Sequence, residues 1–136
     1  MGIWILPEVL FLLVGSVSRE FMGAPLPSNV KFFGRVEQSD LPRFLRVADV
    51  LLLPHPKSDY SQSPMKLFEY MASEVPIVAS RLPSVMEILN DQNSVLVEAE
   101  SGEALALGIK SVIGNIRHSQ SLAEKAFRDV HDYTWE

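Results

Sequence analysis

Four short, almost uninterrupted apolar runs, at residues 9–14 (VLFLLV), 50–53 (VLLL), 76–79 (PIVA) and 94–97 (SVLV), constrain the fold more than any other feature of this chain. None is long enough to span a bilayer, and a continuous apolar run of this length is what a parallel strand buried on both faces requires. A fifth strand is predicted over 29–33 (NVKFF), ending at Gly34. Between the runs lie stretches with helical spacing. Over 40–48, Leu41, Phe44, Leu45 and Ala48 recur as one face, with Asp40 as the expected N-cap and Pro42 in the first turn. A helix over 83–89 and a polar turn over 91–93 precede the last strand. Leu105, Leu107, Ile109 and Val112 predict a covering helix, and residues 118–131 another. Strands alternating with helices over the whole length predict an α/β fold, a Rossmann-like parallel sheet with helices on both faces.

Composition agrees with one compact unit. A length of 136 residues with 47% hydrophobic and 21% charged residues supplies a core for a single domain. The net charge of -5 and the scattered Lys and Arg argue against nucleic acid as a partner. The chain has no cysteine, so it has neither a disulfide framework nor a thiolate metal site. The opening MGIWILPEVLFLLVGS lacks a basic n-region and is interrupted by Pro7 and Glu8, which reads as a strand rather than a signal peptide.

The stretch with the most chemical content is SPMKLFEYMASEVPIVAS, residues 63–80. Ser63 is a good N-cap and Pro64 suits the first helical position, so a helix is predicted to start there. First-turn amides around Met65 and Lys66 lack intrahelical acceptors, and the aligned peptide dipoles make that end an anion site. Lys66 stands out because a cation opposes the dipole by about 0.3–1 kcal/mol unless an anion lies between them. Glu69 lies one turn deeper on the same face. The pair suits a ligand with phosphate followed by sugar hydroxyls; an ordinary surface ion pair on a helix fits the spacing equally well.

These residues resemble the donor-binding segment of glycosyltransferase family 4, retaining sugar transferases of the GT-B fold. The resemblance extends to NVKFFGRV (29–36), DLPRFLRVADVLLLP (40–54), LPSVMEIL (82–89) and the closing YTWE. It implies that the chain is the nucleotide-sugar-binding, C-terminal domain. Lys66 and the amides of Met65 to Leu67 would then contact the donor phosphates, and Glu69 the ribose. Ser61, Gln62 and Ser63 would border the donor, and the backbone from Gly34 would lie near the base. Arg35 is either a base contact or an exposed strand-end charge. No metal is implied, since the nucleotide diphosphate sugar is a substrate.

Two positions depart from the family pattern. A second glutamate eight residues before the ribose-binding one is replaced by Ser61, and the glycine expected just past the helix is Glu74. The resemblance also implies a missing N-terminal acceptor-binding domain, a missing first strand and a truncated C-terminal helix, so the chain reads as a fragment, inactive by itself, of a longer enzyme. Expected partners are a nucleotide diphosphate sugar and an acceptor sugar, lipid-linked glycan or other hydroxyl compound. The expected setting is polysaccharide biosynthesis in the cytoplasm or at the inner membrane face. The competing reading is a noncatalytic α/β module that binds a nucleotide or anion. His55, between two prolines, has no partner carboxylate or nucleophile nearby and reads as structural or exposed rather than catalytic, His118 and His131 show no metal-ligand spacing, and Glu87 reads as a solvated or capping acid.

Overall fold

A computed structural model describes residues 9–14, 28–34, 36–54 and 64–133. Its strands are β1 (Phe11–Val14), β2 (Val30–Gly34), β3 (Leu51–Leu53), β4 (Ile77–Ser80) and β5 (Val95–Val97). The α-helices are α1 (Leu41–Val47), α2 (Pro64–Ala72), α3 (Pro83–Met86), α4 (Gly102–Gly114) and α5 (Ile116–Val130). Every strand pairing is parallel, as the apolar runs predict. Among the described residues the strands form two sheets, β1-β2 and β3-β4-β5.

Period-two alternation gives the three-stranded sheet two different apolar faces. Leu51, Leu53, Ile77, Ala79 and Leu96 belong to one core cluster with Leu67 and Met71 of α2 and Ala126 and Val130 of α5. Val78, with Leu52, Val95 and Val97 packed beside it, belongs to a second cluster with Leu105, Ala106, Ile109 and Val112 of α4. Phe11 and Val30, register partners in β1 and β2, join that second cluster. One apolar layer beneath α4 therefore serves both sheets. Helices lie on both faces, which makes this the parallel α/β architecture the alternation of elements implies.

Three local expectations are corrected. Leu107 is not a core residue: it is 64% exposed, while its neighbours Ala106 and Gly108 turn inward. An ideal Cβ on Gly108 would lie 2.7 Å from Val97 Cγ1 and 3.0 Å from Val78 Cγ1. Helix and sheet thus approach too closely for a larger residue, and a pattern based on leucine size alone misplaces the face. Asp40 makes no side-chain capping bond, because a 3-10 turn at Gln38–Asp40 leads into α1 and holds Asp40 in helical geometry. The predicted helix over 83–89 is shorter, with α3 ending at Met86 and Glu87 as its exposed C-cap.

The polar turn before β5 follows its sequence. Asn93, 1% exposed, accepts from Asn90 N (2.8 Å), while Ser94 Oγ donates to Asn90 O (2.8 Å). These side chains satisfy backbone groups that no strand or helix pairs there.

Candidate functional site

α2 is positioned by burial of its inner face. Leu67 and Met71, 3% and 1% exposed, are anchored against β3 and β4, each worth roughly 1.5–3 kcal/mol relative to an exposed side chain. That anchoring leaves Lys66 outside, in the first turn and exposed to solvent. Glu69 is half-buried one turn further in. Among the described residues no salt bridge joins Lys66 to Glu69. The first turn contains no acid to neutralise the positive end of the helix. Met65 lies in that same turn. Leu67 can act there only through its backbone, since its side chain is in the core.

The next residue along the helix reports the electrostatics of this face. Burial, and secondarily the negative charge of Glu69, push the Tyr70 hydroxyl above its ordinary value, so Tyr70 stays protonated and neutral at physiological pH. At the far end, Ser73 Oγ donates to Tyr70 O (2.6 Å) and accepts from Val75 N (3.3 Å). Glu74 then takes φ of 63°, the left-handed conformation that glycine favours. The hydroxyl of Ser73 supplies a bonded turn around a residue that is not glycine.

Gly34 ends β2 with φ of 72°. The register of β1 and β2 shifts between Leu13 and Val14, so Val14 pairs with Gly34 and one residue of β2 is skipped. Such a bulge re-aims the strand end. Gly34 therefore belongs to the two-stranded sheet, whereas Met65, Lys66, Leu67 and Glu69 follow the three-stranded one. Ser61, Gln62, Ser63, Arg35 and His55 lie outside the described residues. Of the other histidines, His131 donates from Nδ1 to Phe127 O (2.8 Å) and packs edge-on to that ring, an architectural contact.

A feature that the motif did not indicate lies at the C-terminal ends of β3, β4 and β5. There a cleft of ≈ 220 Å³ is bordered by Ser80, Glu98, Glu100 and the start of α4. Ligands of open parallel α/β sheets bind beyond these strand ends. Its signal in the sequence was slight: a serine closing an apolar strand and a glutamate-rich stretch before a helix. A larger cleft of ≈ 610 Å³ runs along the outer face of α5 by Ile116, Arg117 and Gln120. It is remote from the strand ends and is lined by exposed side chains of that one helix. Among the described residues no helix is long and apolar enough to cross a membrane.

Comparisons with known proteins agree with this geometry. Residues 5–115 match the family profile of the glycosyl transferases group 1. TuaH of Bacillus subtilis (strain 168), named as a glycosyltransferase of teichuronic acid biosynthesis, is 27% identical over 115 residues, which cover 82% of this chain and 28% of TuaH. The crystal structure of Anabaena Alr3699/HepE with UDP-glucose superposes with a TM-score of 0.78 at 21% identity, covering 93% of this chain and 37% of that one. The C-terminal domain of the group 1 glycosyl transferase LpcC from Francisella tularensis gives a TM-score of 0.68 at 22% identity, covering 79% of this chain and 55% of that one. The fold is that of GT-B glycosyltransferase C-terminal domains, and the chain spans well under half the length of TuaH and HepE. An α/β sheet with this helix start after β3, matched by a family profile over most of its length, belongs to the glycosyl transferases group 1 family.

Proposed function

We propose that this chain is the donor-binding domain of a family 4, retaining glycosyltransferase that moves a sugar from a nucleotide diphosphate sugar to an acceptor hydroxyl. The observation that carries the reading is the exposed Lys66 in the acid-free first turn of α2, with Glu69 half-buried one turn deeper. Lys66 and the amides of Met65 to Leu67 hold the diphosphate. Glu69 accepts from the ribose hydroxyls. Ser61, Gln62, Ser63, Gly34 and Arg35 complete the donor surface. As the glycosidic bond breaks, negative charge grows on the departing diphosphate. A preorganised helix terminus and ammonium group stabilise that charge more in the transition state than in the ground state.

Acceptor recognition falls to a second domain in this reading, so the chain alone transfers sugar negligibly; robust transfer by the purified chain would overturn that. The proposed acceptor is a sugar, a lipid-linked glycan or another hydroxyl compound in polysaccharide assembly, and the proposed setting is the cytoplasm or the inner membrane face. Teichuronic acid assembly by TuaH and UDP-glucose in the HepE crystal support this choice of chemistry.

The test is titration of the isotope-labelled chain with UDP, GDP and ADP by NMR. Saturable shifts of the Met65 to Glu69 amides are expected, and Lys66→Ala is expected to weaken UDP binding much more than uridine binding. Equal losses for the two ligands, or no response of these amides to millimolar nucleotide, would sink the reading.

A further inference from the structure

The cleft beyond β4 and β5 contains a group for which the fold gives no explanation. Ser80 is 3% exposed and borders the cleft. Strand alternation turns it to the same side as Val78, towards α4. Among the described residues none hydrogen-bonds to its Oγ, although its backbone O accepts from Leu82 N (2.9 Å). A buried hydroxyl without a partner carries a desolvation penalty, and native structures normally relieve it with a protein group, a water or a ligand. Among the described residues the other four buried polar residues, Ser73, Asn93, Ser94 and Ser119, all have hydrogen-bond partners for their side chains.

The remaining walls define what the hydroxyl faces. Ser101 caps α4 by accepting from Ala104 N (3.0 Å), so the amides of Gly102 and Glu103 remain as first-turn donors at the mouth. Glu98 supplies an exposed carboxylate, and Glu100 stands exposed at the rim with an interaction of its own. Pro54, Val97 and Leu105 supply an apolar side. The helix terminus disfavours a cation, and the carboxylates, with Glu103 in the first turn, disfavour a phosphate. A neutral polyol satisfies both, because each hydroxyl can accept from an amide and donate to a carboxylate while ring C–H groups cover the apolar wall. The volume of ≈ 220 Å³ lies below the ~300 Å³ at which sites for drug-sized molecules begin, which fits one sugar ring and not a nucleotide.

We infer that this cleft is a monosaccharide subsite, separate from the helix-start donor site, in which Ser80, the α4 amides and Glu98 bind the hydroxyls of one pyranose unit. The experiment is an NMR titration of the labelled chain with methyl α-D-glucopyranoside, with inorganic phosphate and UDP in parallel. Expected are saturable shifts of Gly102, Glu103, Ala104 and Val97 with the glucoside and none there with phosphate or UDP. Ser80→Ala and Glu98→Gln should each weaken glucoside binding by about fivefold or more, roughly one hydrogen bond, with the rest of the spectrum unchanged. Absence of a saturable response would overturn the inference. So would phosphate or UDP moving these amides, since that would make the cleft an anion site or part of the donor site, or unchanged affinity in both variants. The response of Met65 to Glu69 to UDP is read in the same spectra, so this subsite and the donor site fail or stand independently.

Discussion

Asn93 Nδ2 donates a 3.0 Å hydrogen bond to Asp129 Oδ2 across 36 residues of sequence, tying the turn before β5 to the last turn of α5. Burial raises the Asp129 carboxyl, but hydrogen bonds from Lys125 and Asn93 and the charges of Lys125 and Arg128 outweigh it, so the group lies below its usual value. A lowered folded-state value means the unfolded chain takes up the proton first. The stability this provides is fully present above the unfolded value of 3.8 and is lost as pH falls through the lower folded one. Asp129→Ala should cost about 1–3 kcal/mol at pH 7, because Nδ2 of buried Asn93 keeps only a 3.5 Å contact to Ile88 O. Urea unfolding at pH 7 and again near pH 3 checks this, with the gap between variant and parent expected to narrow at the lower pH.

Gly108 separates a packing constraint from a helix-propensity effect. Alanine at an interior helix position normally gains about 1 kcal/mol over glycine. Here its Cβ would lie 2.7 Å from Val97 Cγ1 and 3.0 Å from Val78 Cγ1, on β-branched side chains with few χ1 alternatives. Overpacking of this kind costs roughly 1–3 kcal/mol, so Gly108→Ala should leave the protein less stable. A raised melting temperature would show that α4 can move away from the sheet.

Glu74 gives the opposite expectation. Its φ of 63° is one that a residue with a Cβ occupies at a cost, and the Ser73 bonds that form the turn do not depend on the Glu74 side chain. Glu74→Gly should stabilise by about 0.5–1 kcal/mol despite glycine's greater freedom when unfolded. Thermal melts of the two proteins decide it. A loss of stability would mean that the Glu74 side chain makes a compensating interaction.

At Lys66, stability and binding should move in opposite directions. Lys66→Glu replaces a cation at the positive end of α2 with an anion and should stabilise the unliganded chain by about 0.3–1 kcal/mol at low salt. The same change should abolish UDP binding. Denaturant melts and UDP titrations on one sample show whether this residue is retained for its ligand at the expense of the helix.

The element order and the parallel class were readable because continuous apolar runs report strands buried on both faces. Leu51 to Leu53, Ile77 to Ala79 and Val95 to Val97 alternate between two cores, so nearly every position is apolar. The helix over Pro64–Ala72 was readable from its leading proline and strong helix formers. What the sequence hid depends on distance in space. Leu107 stands two residues from Leu105, roughly 200° around the helix, so the 3.6-residue period separates it from Leu105, Ile109 and Val112, and the close approach of Gly108 to Val97 shows how tightly the inward face meets the sheet. Asp40 has the right chemistry for a cap, but the preceding 3-10 turn makes that cap unnecessary. Ser80 follows the apolar run over 76–79 as one more small polar residue, and its isolation is apparent only once β5 and α4 are packed around it.

The shared layer beneath α4 also sets an order of opening. Among the described residues, β3, β4 and β5 are held from both sides, by α2 and α5 through one cluster and by α4 through the other, whereas β1 and β2 reach the second cluster through Phe11 and Val30 with Val9 beside them. On the outer side of β1, Leu10 and Leu12 are 55% and 41% exposed. Unfolding should therefore be graded: the β1-β2 amides exchange with solvent through a low-energy partial opening, and those of β4 exchange only when the whole domain unfolds.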